Sequence, residues 1–196
     1  KATWLVDRAA QVAQMVAGSG TSSYQLTMPD ELQSILHELS QPYSLQSSAQ
    51  RVKMCQQALG LVSRQSNEQL WVSLHRELGD SLLRNSNRAQ NIEDAIIIYE
   101  LALQGYTHED FPEDWASIQN SLANAYSERI RGDRAQNIEN AITAYQRALK
   151  GYTYDDSSES WAIIQFNLAN AYSERVRGDR AQNIENAITA YKCALT

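Results

Sequence analysis

The segment Trp115 to Leu149, WASIQNSLANAYSERIRGDRAQNIENAITAYQRAL, recurs 46 residues later as Trp161 to Leu195, WAIIQFNLANAYSERVRGDRAQNIENAITAYKCAL, with only six differences. A looser copy runs from Trp71 to Leu103 and keeps Arg88-Ala-Gln-Asn-Ile-Glu-Asp-Ala-Ile. Self-similarity at such a period implies one supersecondary element stacked on copies of itself, because each copy alone cannot bury its apolar face.

Within each copy the apolar spacing is helical. Ile118, Leu122, Ala125 and Tyr126 form one stripe, and Ile138, Ala141, Ile142, Tyr145, Ala148 and Leu149 form another. Only three prolines and eight glycines interrupt the chain, which favours helices over strands and turns. The expected fold class is all-α. Helix A of each repeat is expected to begin near Trp71, Trp115 or Trp161, with helix B carrying Ile92, Ala95, Tyr99, Ala102 and Leu103 or their equivalents. Between the two helices, Gly132 suits a left-handed residue at a helix C-terminus. Either Asp133 or Asn137 could cap helix B.

Upstream, residues 1–17 read as a helix on Trp4, Leu5, Ala9, Val12 and Val16, followed by a flexible Gly/Ser/Thr link. Asp30 is the expected N-cap of a helix through Leu32, Ile35, Leu36 and Leu39, ended by Pro42. A further helix is expected over about 47–63. The expected organisation is an N-terminal helix and linker, 1–27, and an array, 28–196, with repeats at about 30–66, 67–110, 111–156 and 157–196.

A formal net charge of −6 and a pI near 5.1 argue against nucleic acid and anionic membrane surfaces as partners. No apolar run approaches the roughly 20 residues that span a bilayer, and no secretory signal pattern is present, so a cytoplasmic location is expected. Cys55 and Cys193 occupy non-equivalent positions and read as unlinked thiols. His37, His75 and His108 share no ligand spacing with each other or with the cysteines, and the chain has no metal, nucleophile-elbow or phosphate-loop motif. The expectation is no enzyme, no metal and no cofactor.

Other clusters have structural readings. Glu109, Asp110, Glu113 and Asp114 favour the positive start of a helix. Arg131-Gly-Asp133 and Arg177-Gly-Asp179 recur in register as the loop between helices. Trp71, Trp115 and Trp161 are expected as core, each against the helix B before it. Glu128, Arg129, Arg131, Asp133 and Arg134 are expected to form ion-pair ladders between adjacent repeats.

Leu122-Ala123-x-x-Tyr126 followed by Ala141-x-x-x-Tyr145-x-x-Ala148 resembles the tetratricopeptide repeat, whose pattern reads L-G-x-x-Y and then A-x-x-x-F. The frame holds at Leu78-Gly79 with Ala95 and Tyr99, and at Leu168-Ala169-x-x-Tyr172 with Ala187 and Tyr191. The family's first Trp is replaced by Gln119 and Gln165, its closing Pro by Thr107 and Thr153, and the period is longer, so longer helices or ordered inter-helix loops are expected. In this extended form, with GDRAQNIENAI, the chain is similar to arrays in large bacterial proteins that precede a caspase-like peptidase domain of the CHAT type.

The resemblance implies a right-handed α-solenoid of antiparallel helix pairs whose concave face is lined by helix A. The lining positions would be Ser73, Arg76, Glu77, Asp80 and Leu83, then Ser117, Asn120, Ser121, Asn124 and Ser127, then Ile163, Phe166, Asn167, Asn170 and Ser173. Of these, Arg76, Asp80, Ser117, Asn120, Asn124, Ser127, Ile163, Phe166, Asn167 and Asn170 are the candidate partner-binding residues. Asn124 and Asn170 could bond an extended peptide backbone. Basic clamp residues are absent apart from Arg76, which speaks against capture of a C-terminal carboxylate. Three of the six differences between the close copies fall in this row: Ser117/Ile163, Asn120/Phe166 and Ser121/Asn167. The implied function is non-catalytic recognition of a protein or peptide by one arm of a larger protein. The alternative is a structural or regulatory module that controls an adjacent CHAT-type peptidase or drives homo-oligomerisation. A polar capping helix is expected beyond Thr196, and the apolar C-terminal edge is expected to self-associate or fray.

Overall fold

The computed structural model describes residues 28–43, 46–85 and 88–195, the side chains of Asp155 and Asp156 apart; the expected helix at 1–17 lies outside them. The described residues form eight helices and no strand, so the chain is all-α there. They are α1 (Asp30–Ser40), α2 (Ser48–Leu61), α3 (Glu68–Leu83), α4 (Arg88–Ala102), α5 (Pro112–Glu128), α6 (Arg134–Gly151), α7 (Tyr154–Glu174) and α8 (Arg180–Ala194).

Local chemistry sets the helix ends. Asp30 is not a cap: Pro29 occupies that position, and Asp30 and Glu31 place their charges in the first turn of α1. Gln41 is extended, as a residue before Pro42 must be, and α1 stops there. Ser47 and Gln50 form a reciprocal capping box at α2. α3 starts before Trp71 because the Asn67 side chain accepts from Leu70 N–H. α5 starts before Trp115, with Pro112 in its first turn. α7 begins at Tyr154 and is interrupted at Ser157, where φ is −150° and ψ is 52°.

The chain divides into two compact units, Lys1–Asn85 and Ser86–Thr196. The division falls between α3 and α4, inside the span 67–110.

In the first unit α1 packs on α2 and α2 on α3. Leu32, Leu36 and Leu39 of α1, Cys55 and Ala58 of α2, and Leu70, Leu74 and Leu78 of α3 are buried. Arg51, on the same stripe as Cys55 and Ala58, is fully buried. Its guanidinium donates to Glu77 through Nε (3.0 Å) and Nη2 (2.7 Å). It also donates to the carbonyls of Leu39 (2.6 Å) and Gln41 (3.2 Å) at the end of α1, and to Gln46 Oε1 (3.1 Å). Tyr43 lies over the same guanidinium, 4.0 Å from the ring centroid, and donates its hydroxyl to Glu77. All three helices of the unit thus meet on one buried ion pair.

In the second unit α4 packs on α5, α5 on α6, α6 on α7, and α7 on α8; α5 also touches α7. The core between α5, α6 and α7 contains Ala123, Ile138, Ala141, Ile142, Tyr145, Ala148, Ile164, Leu168 and Ala171. Gly151 at the end of α6 allows a close approach to the start of α5: a Cβ there would lie 2.3 Å from the Pro112 carbonyl oxygen and 2.7 Å from Ala116 Cβ.

Two stability outcomes follow. Arg51→Met strands the Glu77 carboxylate in the core and should cost about 3–5 kcal/mol in urea unfolding, with Arg51→Met/Glu77→Leu recovering part of that loss. Gly151→Ala must push α6 off the start of α5 and should cost about 1–3 kcal/mol; an unchanged midpoint would contradict the contact.

Candidate functional site

The loop at 129–133 carries most of the repeated charge. α5 ends at Glu128, and Gly132, with φ +81°, sits in the turn beyond it rather than at the helix end; Gly178 repeats this at φ +78°. Asp133 caps α6 by accepting from Ala135 N–H (2.8 Å), and Asp179 caps α8 by accepting from Gln182 N–H (2.8 Å). Asn137 and Asn183 are buried instead. Their amides donate to the carbonyls of Arg131 (2.9 Å) and Arg177 (2.8 Å), tying the loop to the helix after it.

The arginine after each helix A reaches the other way. Arg129 makes a two-pronged pair with Glu93 (2.9 and 2.6 Å), and Arg175 an equivalent one with Glu139 (both 2.8 Å). Arg131 donates to Gln90 and Arg177 to Gln136. Arg88 with Glu128, and Arg134 with Glu174, complete the two rungs. The arginines of the two Arg-Gly-Asp tripeptides are therefore taken up by a ladder joining successive repeats, and the aspartates cap the helices that follow. Each Arg–Glu hydrogen bond holds the Glu93 and Glu139 carboxyls below their ordinary value of 4.5.

Of the candidate partner-binding residues, Arg76 and Asp80 lie half-buried on α3 in the first unit. Their row there is thinner than the repeat pattern implied, because Ser73 and Glu77 are buried and Glu77 is taken by Arg51. The other eight lie on α5 and α7. Ser117, Asn120, Asn124 and Ser127 are half-buried along one face of α5; Asn167 and Asn170 are half-buried on α7, and Ile163 and Phe166 are about half exposed there. The Oδ1 of Asn124 accepts from the Tyr145 hydroxyl (2.6 Å) and from Asn167 Nδ2 (3.3 Å). Asn170 Oδ1 accepts from the Tyr191 hydroxyl (2.5 Å). Burial pushes Tyr145 up to about 12, so its hydroxyl remains a donor at neutral pH. Among the described residues neither Asn124 Nδ2 nor Asn170 Nδ2 has a partner. Phe166 packs edge-on against Tyr191. With Ala162, Ile163, Ala194 and Leu195 these two rings line an apolar cavity of about 490 Å3.

The opposite face of α5 forms a groove of about 560 Å3 with α4 and α6. Trp115 lines it rather than joining the core: all three repeat tryptophans are half-buried. Glu100 of α4 and Leu103 just beyond it line the same wall as Trp115, and His108 meets the Trp115 ring edge-on. Gln119 lies at its floor, 3 % exposed, with Oε1 unpartnered among the described residues. Glu100 accepts from the Tyr126 hydroxyl (2.8 Å), and Arg147 lines the groove on the α6 side. The groove's sequence signal is a polar residue on an apolar stripe, where the repeat pattern has Trp.

The titratable groups do not converge. His75 is buried, bonded to the Trp71 carbonyl and lowered in pKa by burial; His37 and His108 are exposed on other elements. Cys55 is a buried thiol raised by burial, Cys193 is half-buried, and neither is in a disulfide. Among the described residues no three His, Cys, Asp or Glu side chains are placed to share a metal ion, and no helix is long and apolar enough to cross a membrane. The chain matches no protein-family model, no curated protein and no solved structure.

The ladder carries a pH signature. A carboxylate whose folded pKa is depressed contributes stability that is complete above its unfolded value and is lost as pH falls through the folded one. Unfolding free energy should therefore decline as pH drops from about 5 through the acid range. Glu93→Gln/Glu139→Gln should flatten that limb while lowering stability at neutral pH. An acid limb as steep as that of the unaltered chain would remove the two pairs from the account.

Proposed function

We propose that this chain is a non-catalytic interaction module that takes a peptide or partner protein along the helix-A row of α5 and α7. In this reading it is a right-handed, tetratricopeptide-like solenoid of antiparallel helix pairs, working in the cytoplasm as one arm of a larger protein. The observation that carries the reading is the state of the two asparagines. Tyrosines from α6 and α8 hold the Asn124 and Asn170 carbonyls, which fixes each side chain and leaves its N–H donor over. Two pre-oriented amides on a half-buried face suit backbone carbonyls of an extended segment, because ordering them adds little further entropy cost on binding. Ile163 and Phe166, exposed beside them, supply the apolar contact that a polar row lacks.

The test is isosteric. Asn124→Asp/Asn170→Asp keeps an acceptor for each tyrosine hydroxyl and removes each N–H donor. Peptides selected on the unaltered chain from a random library should lose about tenfold or more in affinity for this variant, each lost bond to a backbone carbonyl being worth about 1 kcal/mol. Melting temperature should stay near that of the parent. Selected peptides that bind both chains equally would place the site elsewhere. Ile163→Ser/Phe166→Asn, which copies the neighbouring repeat, should change which peptides are selected.

A further inference from the structure

The groove between α4, α5 and α6 holds a buried polar atom that the fold leaves unanswered. Gln119 lies on its floor, and its Oε1 has no hydrogen-bond partner among the described residues. Gln119 shares a stripe of α5 with Trp115, Leu122 and Tyr126, a setting in which an apolar side chain of the same length would pack without that loss. Burying an acceptor with nothing to bond it is destabilising, so a polar residue kept there calls for a partner.

The two walls above it carry opposite charges. Glu100 stands on the α4 side and Arg147 on the α6 side, both exposed. Among the described residues no hydrogen bond or ion pair holds the Arg147 side chain, and Glu100 has one carboxylate oxygen on the Tyr126 hydroxyl (2.8 Å) and the other open. Elsewhere in this unit facing arginines and glutamates close into pairs, as Arg129 does with Glu93 and Arg175 with Glu139. Here they stand unpaired on either side of a groove of about 560 Å3. The positions 46 residues on lack the arrangement: Gln146 and Cys193 replace the two charges, Gln165 is only half-buried, and Gln146 donates to the Tyr172 hydroxyl (2.8 Å).

The geometry points to a binding site in this groove for a short zwitterion with an apolar body, as a free α-amino acid or a dipeptide presents. Its ammonium donates to Glu100 and to Gln119 Oε1, its carboxylate accepts from Arg147, and its apolar part lies against Trp115, Leu103 and Leu122. A wholly anionic ligand would be repelled by Glu100 and a wholly cationic one by Arg147, so the walls select both signs on one molecule. The volume is of the size that small-molecule sites have, and apolar walls with a few convergent polar groups are their usual lining. This site lies on the face of α5 opposite Asn124 and does not rest on the peptide reading of the helix-A row.

The probes are L-leucine, L-phenylalanine and the dipeptides Leu-Phe and Phe-Leu, titrated into the full chain and followed by NMR at the Trp115 indole N–H, with Trp161 as internal control. Saturable movement of the Trp115 signal, with Trp161 unmoved, is expected. Acetylating the amine or amidating the carboxylate of the tightest probe should each weaken binding about tenfold or more, as should Glu100→Gln and Arg147→Gln in the chain. Gln119→Met should weaken binding to a similar degree yet raise the melting temperature, because it removes the unanswered acceptor without opening a cavity. Tighter binding of the free amino acids than of the dipeptides assigns the site to free amino acids, and the reverse assigns it to peptides. No movement with any of these probes at millimolar concentration makes the groove a water-filled surface feature and overturns the proposal. Blocked probes that bind as well as unblocked ones, or a Gln119→Met chain that binds as the parent does, overturn it equally. The asparagine variants of the helix-A row should leave the titration unchanged.

Discussion

Register between successive repeats in the second unit depends on the arginine that follows helix A. Arg129 and Arg175 each face two ways, with a two-pronged bond to a glutamate on the preceding helix B and a longer contact to the buried asparagine of the next, Asn137 or Asn183 (3.5 and 3.4 Å). A guanidinium is suited to this because its donors form a rigid planar fork. Apolar stripes of Ile, Leu and Ala tolerate sliding, since their attraction is non-directional. The arginine does not tolerate it, so the ladder selects one alignment from those the stripes allow.

The first unit reaches the same end differently. Arg51 and Glu77 are wholly buried and draw on carbonyls at the end of α1, on Gln46 and on Tyr43. Such a pair adds little net stability over a well-packed apolar substitute, but breaking it is costly. It also ties α1, α2 and α3 to one point, because Arg51 of α2 bonds Glu77 of α3 and the Leu39 carbonyl of α1. The half-exposed ladder and the buried hub thus do related work in different dielectric settings, and only the ladder is open to salt and acid.

The near-identity of the last two repeats makes their few differences informative. Ser117/Ile163 and Asn120/Phe166 turn a polar stretch of the helix-A row into an apolar one. Ser121/Asn167 supplies the amide that bonds Asn124 across α5 and α7. Arg147/Cys193 puts a cation at the groove floored by Gln119 and removes it 46 residues on. The scaffold is held constant by the stripes and the ladder while the outward faces change.

What the chain determined by itself is what neighbours in sequence decide. Helical stripes, the stop before Pro42 and the left-handed Gly132 all act within a few residues, and the repeat required like to stack on like. Pairing of the loop arginines across repeats was also legible, because charges of both signs recur at a fixed offset. Tertiary structure alone decided the rest. Asn137 became a buried loop tie instead of a cap, the tryptophans stayed half-buried with Trp115 lining a groove, and Glu77 left the helix-A row for Arg51, 26 residues away. Each outcome turns on which side chain first satisfies a buried polar atom or fills a gap between helices. Those competitors are brought together only by packing, so spacing along the chain cannot rank them.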